Sequence, residues 1–300
     1  MTTRTVSAST LAGGRGSVSP ALTIAALTIT EALRRRLVLA FMVITVAVVG
    51  LSAWGFSRLA HHAGPGITSG EVNLALPTSY ILFMFMFSFV VALSASAIAS
   101  PAISGEIDSG VLHAVAARPV RRAEILLGKW LGLAGLLAAY TAVVCGLEYV
   151  VVYWSSGYLA PDPVPVAAYL FAEGAVLLTL VLLLSTRLPT LAAGVIGVAM
   201  FGIAWLGGVV GTLGAGFGVT ALTTASKVVA YVVPSNGLWQ GAVYYLEPRN
   251  YIIQQLVTQN DKGDPFFSAT APSAGYLAWA GVWFVLMLGA GVISFGRREL

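Results

Sequence analysis

Six long apolar runs dominate the sequence, and shorter polar stretches separate them. The runs lie at about 37–57, 78–99, 130–154, 164–185, 189–212 and 275–295. A helix that crosses the hydrocarbon core of a bilayer needs about 20 predominantly apolar residues, and each run reaches that length. The alternating pattern of a membrane barrel is absent. The sequence therefore predicts an all-α, polytopic membrane protein with six transmembrane helices.

The segment before the first run predicts a helix of another kind. Residues 1–18 are polar, so we expect a disordered tail ahead of a single transmembrane domain over 19–300. Pro20 begins a stretch that ends in the basic run 34–36 and has apolar residues at helical spacing: Leu22, Ala25, Ala26, Ile29 and Leu33. This favours an amphipathic helix on the inner membrane surface, with arginines at the headgroups. The alternative is a plain cytoplasmic start to the first membrane helix.

Proline positions predict where helices begin and where they are interrupted. Pro77 is expected to begin the second membrane helix and Pro189 the fifth, because a missing N–H costs little in the first turn. Only residues 186–188 separate the fourth and fifth runs, which predicts a tight helical hairpin. In the long outer segment 213–274, Pro234 argues against a seventh crossing. Interfacial helices or a shallow re-entrant element are expected there.

Lysine and arginine placement predicts the orientation of the helices. Ten of these residues lie near helix ends on one side: Arg34, Arg35, Arg36, Arg118, Arg121, Arg122, Lys129, Arg187, Arg297 and Arg298. The other side has Arg58, Lys227 and Lys262. Cytoplasmic loops carry the excess of Lys and Arg, so both termini and the 100–129 loop are predicted to be cytoplasmic in a multi-pass protein of the cell membrane. The net charge of +4 is explained by this topology, and no basic domain for nucleic acid is left.

Candidate catalytic chemistry is scarce along the chain. The Gly128-Lys129 pair lacks a preceding phosphate loop and a following Ser or Thr, so no nucleotide-binding motif is present. The three histidines show no metal-ligand spacing, and Cys145 is the single cysteine. We therefore expect no catalytic residue, no metal and no cofactor in this chain.

The segment from Ser100 to Lys129 concentrates charge between two strongly apolar runs. Only 9% of the chain is charged, so this cluster must face water or another protein. Gly110 and Pro119 would bracket a short helix whose apolar side chains and charged flanks favour a docking surface. A solvated loop that only obeys the positive-inside rule is the alternative. The charged residues are Glu106, Asp108, His113, Arg118, Arg121, Arg122, Glu124 and Lys129.

The same loop resembles the signature loop of the type-2 permeases of ATP-binding cassette (ABC) transporters. The order of residues is Glu106, then Gly110-Val111-Leu112, then Arg118-Pro119-Val120-Arg121-Arg122, then the apolar run that ends in Gly128-Lys129. Val111 stands where threonine is common in that family. The layout of nearly the whole chain is similar too, with a surface helix, six crossings and a long outer segment before the last helix.

This resemblance implies a permease subunit that works in the lipid bilayer with a second copy of itself or a paralogue. Separate cytoplasmic ABC ATPase subunits would bind ATP and Mg²⁺. The loop between the second and third membrane helices would form a coupling helix that rests in a cleft of the ATPase. The coupling residues that follow are Glu106, Asp108, Gly110, Val111, Leu112, Arg118, Pro119, Arg121 and Arg122.

Two carboxylates fall inside predicted membrane helices, Glu148 in the third and Glu173 in the fourth. Consecutive antiparallel helices are neighbours, and a rise of about 1.5 Å per residue puts the two roughly 9 and 13 Å below the outer surface. Ionisable groups in a bilayer are costly and usually functional, which suggests a proton-sharing pair or a site for a cationic group. The alternative is that each is protonated, or bonded to the backbone or Tyr149, as a packing element.

The resemblance also implies that the second and fifth helices of both subunits line a central path. Candidate lining residues on the second helix are Phe83, Met84, Phe87 and Ser88, and Met and Phe would suit amphiphilic substrates of varied shape. Contact with lipid is the default alternative for most of them.

These observations predict the membrane subunit of an ATP-driven exporter of an amphiphilic or hydrophobic substrate, a chain that is not itself an enzyme. Two rivals stay open. One is an ion-coupled secondary carrier that uses Glu148 and Glu173, and the other is a non-transporting membrane anchor or sensor for an ATPase. Dependence of flux on the ATPase would exclude the carrier, and flux itself would exclude the anchor.

Overall fold

The structure is a computed structural model that describes residues 19–61, 69–110, 121–258 and 264–298. Within these ranges the regular structure is entirely helical. In chain order the helices are α1 (Pro20–Leu33), α2 (Arg36–His61), α3 (Ser69–Ala99), α4 (Ser104–Asp108), α5 (Arg122–Ser156), α6 (Pro163–Ser185), α7 (Thr190–Gly216), α8 (Thr220–Val232), α9 (Ser235–Leu246), α10 (Arg249–Thr258) and α11 (Ala274–Gly296). The bundle end with residues 100–110, 121–129 and 186–189 is called inner, and the opposite end outer, after the predicted orientation.

The six predicted membrane helices are confirmed as long apolar helices. Among the described residues, α2, α3, α5, α6, α7 and α11 are long and apolar enough to cross a bilayer. α5 begins at Arg122, ahead of the apolar run that starts near 130. Its first turn is stabilised by Glu124, whose carboxylate accepts the backbone N–H of Arg121 at 3.1 Å. A polar extension of this kind lies outside the apolar run and leaves no hydropathy signal.

Pro77 does not begin its helix, which corrects the sequence prediction. α3 starts at Ser69 and holds Pro77 in its interior. An internal proline leaves one carbonyl of the preceding turn without its usual N–H partner, and membrane helices tolerate this because neighbouring groups can satisfy it. Pro189, in contrast, is the N-cap of α7. The short connection 186–189 joins α6 to α7 as the predicted tight hairpin.

The centre of the bundle is α6. It packs against α3, α5, α7, α9 and α11, and its core-facing side chains are fully buried, among them Leu170, Leu177 and Val181. By contrast, α2, α7 and α11 leave most of their apolar surface uncovered. In a bilayer such a surface contacts lipid or another subunit. The protomer therefore has a packed centre and a partly unpartnered periphery.

Two glycines on α5 bring α1 close to the bundle. A Cβ atom on Gly132 would lie 2.6 Å from the carbonyl oxygen of Ala25, and one on Gly128 would lie 2.7 Å from that of Ala21. Small residues four apart let helix backbones approach this closely. The predicted helix before the first crossing is thus present and docked. It buries Ala25, Thr28 and Ala32 and leaves Leu22, Leu27 and Leu33 exposed.

The long outer segment folds back into the bundle as a hairpin of α8 and α9. α8 packs along the outer half of α7, where glycines leave room for its side chains. A Cβ atom on Gly211 would lie only 2.2 Å from the Ser226 hydroxyl, and one on Gly207 would lie 2.8 Å from Val229. α9 then packs against α6. The two short helices therefore belong to the bundle.

Aromatic donors of α11 satisfy the backbone at the turn of this hairpin. Trp279 Nε1 donates to the carbonyl of Tyr231 at 3.0 Å, and Trp283 Nε1 donates to that of Val232 at 2.9 Å. Tyr276 Oη donates to the carbonyl of Pro234 at 3.0 Å. Trp283 lies about 13 Å inside α11 at 1.5 Å per residue. Irregular backbone at such a depth needs protein partners. These contacts attach the α8–α9 hairpin to the bundle, and the choice between an interfacial and a re-entrant position stays a prediction.

Candidate functional site

A buried ion pair ties the charged segment to the third membrane helix. The Lys129 ammonium on α5 donates to the Glu106 carboxylate on α4, and only 6% and 16% of the two side chains are exposed. Separating a pair this sheltered is costly, because each charge would be left in a poor environment. Glu106 is therefore a partner of Lys129 within the protomer.

Arg122 also has its partners within the protomer. Its guanidinium donates to the carbonyls of Phe295 and Gly296, both at 3.3 Å, and to that of Arg298. The last carbonyls of a helix lack intrahelical partners, and a cation there is favoured by the helix dipole. Arg122 consequently joins the start of α5 to the end of α11.

The α6–α7 turn adds further contacts at the same end. Arg187 donates to the side chain and the carbonyl of Ser294, both at 3.0 Å. Arg298 donates to the carbonyl of Thr186 at 2.5 Å. We call these contacts, with those of Glu106 and Arg122, the inner network. It connects the inner ends of α4, α5, α6 and α11.

Three of the predicted coupling residues are exposed at this end: Asp108, Gly110 and Arg121. Gly110 has a φ of +74°, in the left-handed region that favours glycine, directly after α4. Arg121 is the N-cap of α5. The segment 111–120 lies outside the described residues. It holds the predicted coupling helix and the predicted coupling residues Val111, Leu112, Arg118 and Pro119. The described part of the predicted coupling surface therefore consists of the two flanks of the segment 111–120.

The sequence reading assigned Glu106 and Arg122 to the coupling surface, and it missed the partners that both have inside the protomer. A signal for the first of these was present. Lys129 stands alone in the apolar run from Ile125 to Leu133, and a single charge in such a run needs a partner. No comparable pattern marks Arg122, because its acceptors are backbone carbonyls distant in sequence.

Glu148 is completely buried on α5. The Ser52 hydroxyl of α2 donates to its Oε1, and its Oε2 has no hydrogen-bond partner among the described residues. Cys145 and Tyr80 belong to the packed cluster at this level of the bundle. The carboxyl group thus connects α2 to α5 inside the protein.

Glu173 on α6 is equally buried, and the Ser88 hydroxyl of α3 donates to its Oε2 at 2.8 Å. Each carboxyl group therefore has its own serine on a different helix. No hydrogen bond joins Glu148 to Glu173 within the described ranges. The hydrogen-bond partners are serines, where the packing alternative named the backbone or Tyr149; the choice between a proton-sharing pair, a cation site and packing elements stays a prediction.

The candidate pathway residues on α3 lie mostly inside the protomer. Met84, Phe87 and Ser88 are at most 1% exposed, and Phe83 packs against Phe56 with ring centroids 5.8 Å apart. Three of the four side chains are therefore enclosed in this conformation. As lining residues of a path they stay a prediction.

An open cavity of about 780 Å³ lies between the inner halves of α2, α3 and α7. We call it the inner cavity. It is lined by Leu37, Phe41, Leu93, Ser96, Ala97, Ser100, Thr190, Leu191, Gly194, Val195, Val198 and Ala199. Its few hydroxyls have partners, such as Ser96, which donates to the carbonyl of Gly194 at 3.0 Å. It is therefore an apolar space beside the second and fifth membrane helices.

Aromatic rings fill the space between α3 and α7 on the outer side of this cavity. The Phe85 ring centroid lies 5.3 Å from those of Trp205 and Trp239 and 5.0 Å from that of Phe266. Trp239 comes from the α8–α9 hairpin, and Phe266 from the segment before α11. Aromatic packing thus fills the space on the outer side of the cavity.

Glu247 follows the α8–α9 hairpin at the outer end and is 3% exposed. Burial raises the pKa of its carboxyl group to about 8. The backbone N–H of Ser268, at 3.3 Å, opposes that rise, and the nearby Asp264 adds to it. The Glu247 carboxyl is therefore mostly protonated at neutral pH and sits against the segment 264–268.

Comparison with known proteins gives one family. The model of a family described as "ABC-2 family transporter protein" matches residues 22–300. The matched region includes all six long apolar helices and both flanks of the charged segment. A search of curated proteins found no match.

Proposed function

The chain belongs to the ABC-2 family of transporter proteins, and from that membership we propose that it is an exporter subunit for an amphiphilic or hydrophobic substrate. Separate cytoplasmic ABC ATPase subunits would bind ATP and Mg²⁺ and dock on its inner end, at residues 104–122. The proposal places both termini in the cytoplasm of a cell-membrane protein.

Docking at this segment is supported by the groups that the inner end leaves exposed. Asp108 and Arg121 carry opposite charges on the two flanks of residues 111–120, and both face solvent. Gly110 supplies a left-handed turn directly before that segment. An ATPase cleft that receives residues 111–120 would meet Asp108 on one side and Arg121 on the other. Charges of this kind set register and orientation at an interface.

Force from the ATPase would reach the membrane helices through the inner network. A displacement of α4 acts on α5 through the Glu106–Lys129 pair. α5 in turn is joined to α11 through Arg122. A docked ATPase would therefore move several membrane helices together, because their inner ends are linked by charge-assisted hydrogen bonds.

Export is supported above all by the inner cavity, which has an apolar lining near the inner end, while aromatic rings fill the space on its outer side. An amphiphilic substrate would enter from the cytoplasm or the inner leaflet. Release would require the Phe85–Phe266 contact and its neighbours to separate. A hydrophobic wall with few unpaired polar groups suits such a substrate, since burying a polar one there would be costly.

A second copy of this chain, or a paralogue, would complete the cavity. α2 and α7 border it and expose most of their apolar surface. Close approach of two such helices in a bilayer is driven by packing. The proposed transporter therefore has two membrane subunits around one central space and two ATPase subunits below them.

The experiment that tests this proposal is an affinity purification from mild detergent with ATP hydrolysis measured in the eluate. The variants are Asp108→Arg and Arg121→Glu, which reverse the two exposed flanking charges. Lys227→Glu is the matched control, because it reverses an exposed charge on α8 at the other end. Co-purified ATPase that is lost in the first two variants and kept in the third supports docking at 104–122.

Three results would count against the proposal. Equal ATPase recovery from all variants would move the docking surface elsewhere. A stable protein that transports with no ATPase partner would favour the secondary carrier and its two buried glutamates. ATPase recovery without substrate flux in proteoliposomes would favour the anchor or sensor.

A further inference from the structure

A second apolar cavity lies on the other side of α2, separate from the proposed transport path. It has a volume of about 410 Å³, and we call it the side groove. It is formed by the end of α1, the first half of α2, the inner part of α3 and the middle of α5. Its lining residues are Leu33, Val38, Phe41, Met42, Thr45, Val46, Ser94, Ile98, Leu136, Leu137, Ala139, Tyr140, Val143, Val144 and Leu147.

The side groove offers no unpaired hydrogen-bonding group to a guest. Thr45 and Tyr140 share a hydrogen bond of 2.5 Å, and the Ser94 hydroxyl donates to the carbonyl of Val91 at 2.8 Å. A polar guest would therefore lose its own hydrogen bonds with water and gain none. The groove suits a hydrocarbon chain.

The groove opens toward the bilayer. Met42 and Val46 on α2 are 49% and 72% exposed, and Val143 and Leu147 on α5 are 59% and 47% exposed. These four side chains form its rim on the membrane side. A hydrocarbon chain can enter laterally from the lipid without passing through water.

A basic cluster stands at the inner end of the groove. Leu33 and Val38 line it and bracket the sequence Arg34-Arg35-Arg36. Arg35 is paired with Glu31 at 2.5 Å. Arg34 and Arg36 are exposed, and within the described part of the chain neither has an acidic partner. Two free cations therefore lie where a lipid headgroup would lie if its acyl chain filled the groove.

From this charge complementarity we propose that the side groove binds one acyl chain of an anionic membrane phospholipid, with the phosphate at Arg34 and Arg36. Guanidinium groups bind phosphate with well-directed, charge-assisted hydrogen bonds. The bound lipid fills the space between α1, α2 and α5 and holds the start of the first membrane helix. This site goes beyond the transport function and needs no ATPase.

The test uses the full-length protein in mild detergent, incubated with equal amounts of phosphatidylglycerol and phosphatidylcholine of the same chain length. Native mass spectrometry counts the lipids that each protomer retains. The expected preference for phosphatidylglycerol is roughly tenfold, from two cations that each attract an anionic lipid. Arg34→Gln/Arg36→Gln should abolish this preference, and Ala139→Trp, which fills the groove from α5, should reduce retention of either lipid.

Matched controls use residues that do not line the groove. Arg297→Gln removes another exposed inner charge, and Val150→Trp adds the same bulk to an exposed position of α5; both should retain phosphatidylglycerol like the wild type. Equal retention of the two lipids by the wild type would overturn the proposal. An unchanged preference in Arg34→Gln/Arg36→Gln would do so as well, and those exposed positions do not put the fold at risk. Because no ATPase is present, either result is independent of the docking proposal.

Discussion

Lys129 and Glu106 form an ion pair that is almost entirely enclosed by the protomer, although both residues belong to the charged segment that faces the proposed ATPase. The pair joins the short helix α4 to the start of α5. A surface contact between an ATPase and α4 can therefore act directly on a membrane helix. The proposed coupling depends on this internal link as well as on the exposed charges beside it.

Removing the Glu106 carboxylate should destabilise the protein clearly. Glu106→Gln leaves the Lys129 ammonium nearly buried with a weaker partner, and a loss of about 3 kcal/mol is expected, at the lower end for buried pairs. Lys129→Met should cost less, because Glu106 reaches some water. The double variant should recover part of the loss. The midpoint of thermal unfolding in detergent measures all three.

The matched control for that experiment is the exposed pair of Glu31 and Arg35. Glu31→Gln should change the unfolding free energy by less than about 0.5 kcal/mol, as is usual for an exposed pair four residues apart on a helix. Equal effects of Glu106→Gln and Glu31→Gln would show that the inner pair does not hold α4 against α5.

A larger side chain at Gly132 should push α1 away from α5. Gly132→Leu forces its Cβ atom against the Ala25 carbonyl oxygen, and overpacking of this kind costs typically 1–3 kcal/mol. Gly135→Leu is the control, since nothing lies within 4 Å of a Cβ atom at that position. In a Cys145→Ser background, Thr28→Cys should react faster with a thiol reagent when Gly132→Leu is present. An unchanged rate would contradict the close contact of the two helices.

Loss of one indole donor should weaken the α8–α9 hairpin. Trp283→Phe keeps most of the ring volume and removes the hydrogen bond to the Val232 carbonyl. Loss of a hydrogen bond in this half-buried position should cost about 1 kcal/mol, and the unfolding midpoint should fall accordingly. Trp154→Phe is the control, because Trp154 is 82% exposed. Similar midpoints for the two variants would mean that water or lipid groups satisfy the hairpin turn.

The outer end should lose stability as the pH rises. Burial raises the pKa of Glu247 to about 8, and in the unfolded chain a glutamate has a pKa of roughly 4.3. Between these two pKa values the folded state keeps a proton that the unfolded state releases. The stabilisation of the folded state by this proton is therefore full below about pH 4 and is lost as the pH rises through 8. Thermal unfolding measured from pH 5 to 9 should show a falling midpoint.

Two variants test whether Glu247 is the cause of that dependence. Glu247→Gln should flatten the profile, since the amide cannot ionise. Asp264→Asn should move the fall in the unfolding midpoint to a lower pH, because the negative charge of Asp264 raises the pKa of Glu247. A move to a higher pH would mean that Asp264 stabilises the charged form of Glu247. An unchanged profile in Glu247→Gln would assign the dependence to another group.

The sequence predicted the membrane helices and the α6–α7 hairpin because lipid imposes a length and an apolar character that are visible in one dimension. It could not predict where α3 and α5 begin, since Ser69 and Arg122 lie outside the apolar runs. Pro77 was misplaced for the same reason. A polar helical turn beyond the lipid has no hydropathy signature.

Partners of buried polar groups were harder to predict. The sequence marked Glu148 and Glu173 as unusual, but Ser52 and Ser88 come from other helices. Which side chains meet depends on how each helix is rotated in the bundle, and apolar residues on every face of α3 give no indication of this. The close contact of α1 with α5 occurs at Gly128 and Gly132, a four-residue spacing that the sequence analysis did not single out.

The most direct test of the central claim is a cross-link between the inner flank and an ATPase. Asp108→Cys in a Cys145→Ser background carries a single exposed thiol next to residues 111–120, and Lys227→Cys carries one at the opposite end. The account predicts that a short thiol-reactive cross-linker joins Asp108→Cys to an ATP-hydrolysing subunit in isolated membranes, with a yield that changes on adding ATP. It predicts no such product from Lys227→Cys. Absence of an ATPase adduct from Asp108→Cys, in a protein that is folded and active in transport, would contradict the account.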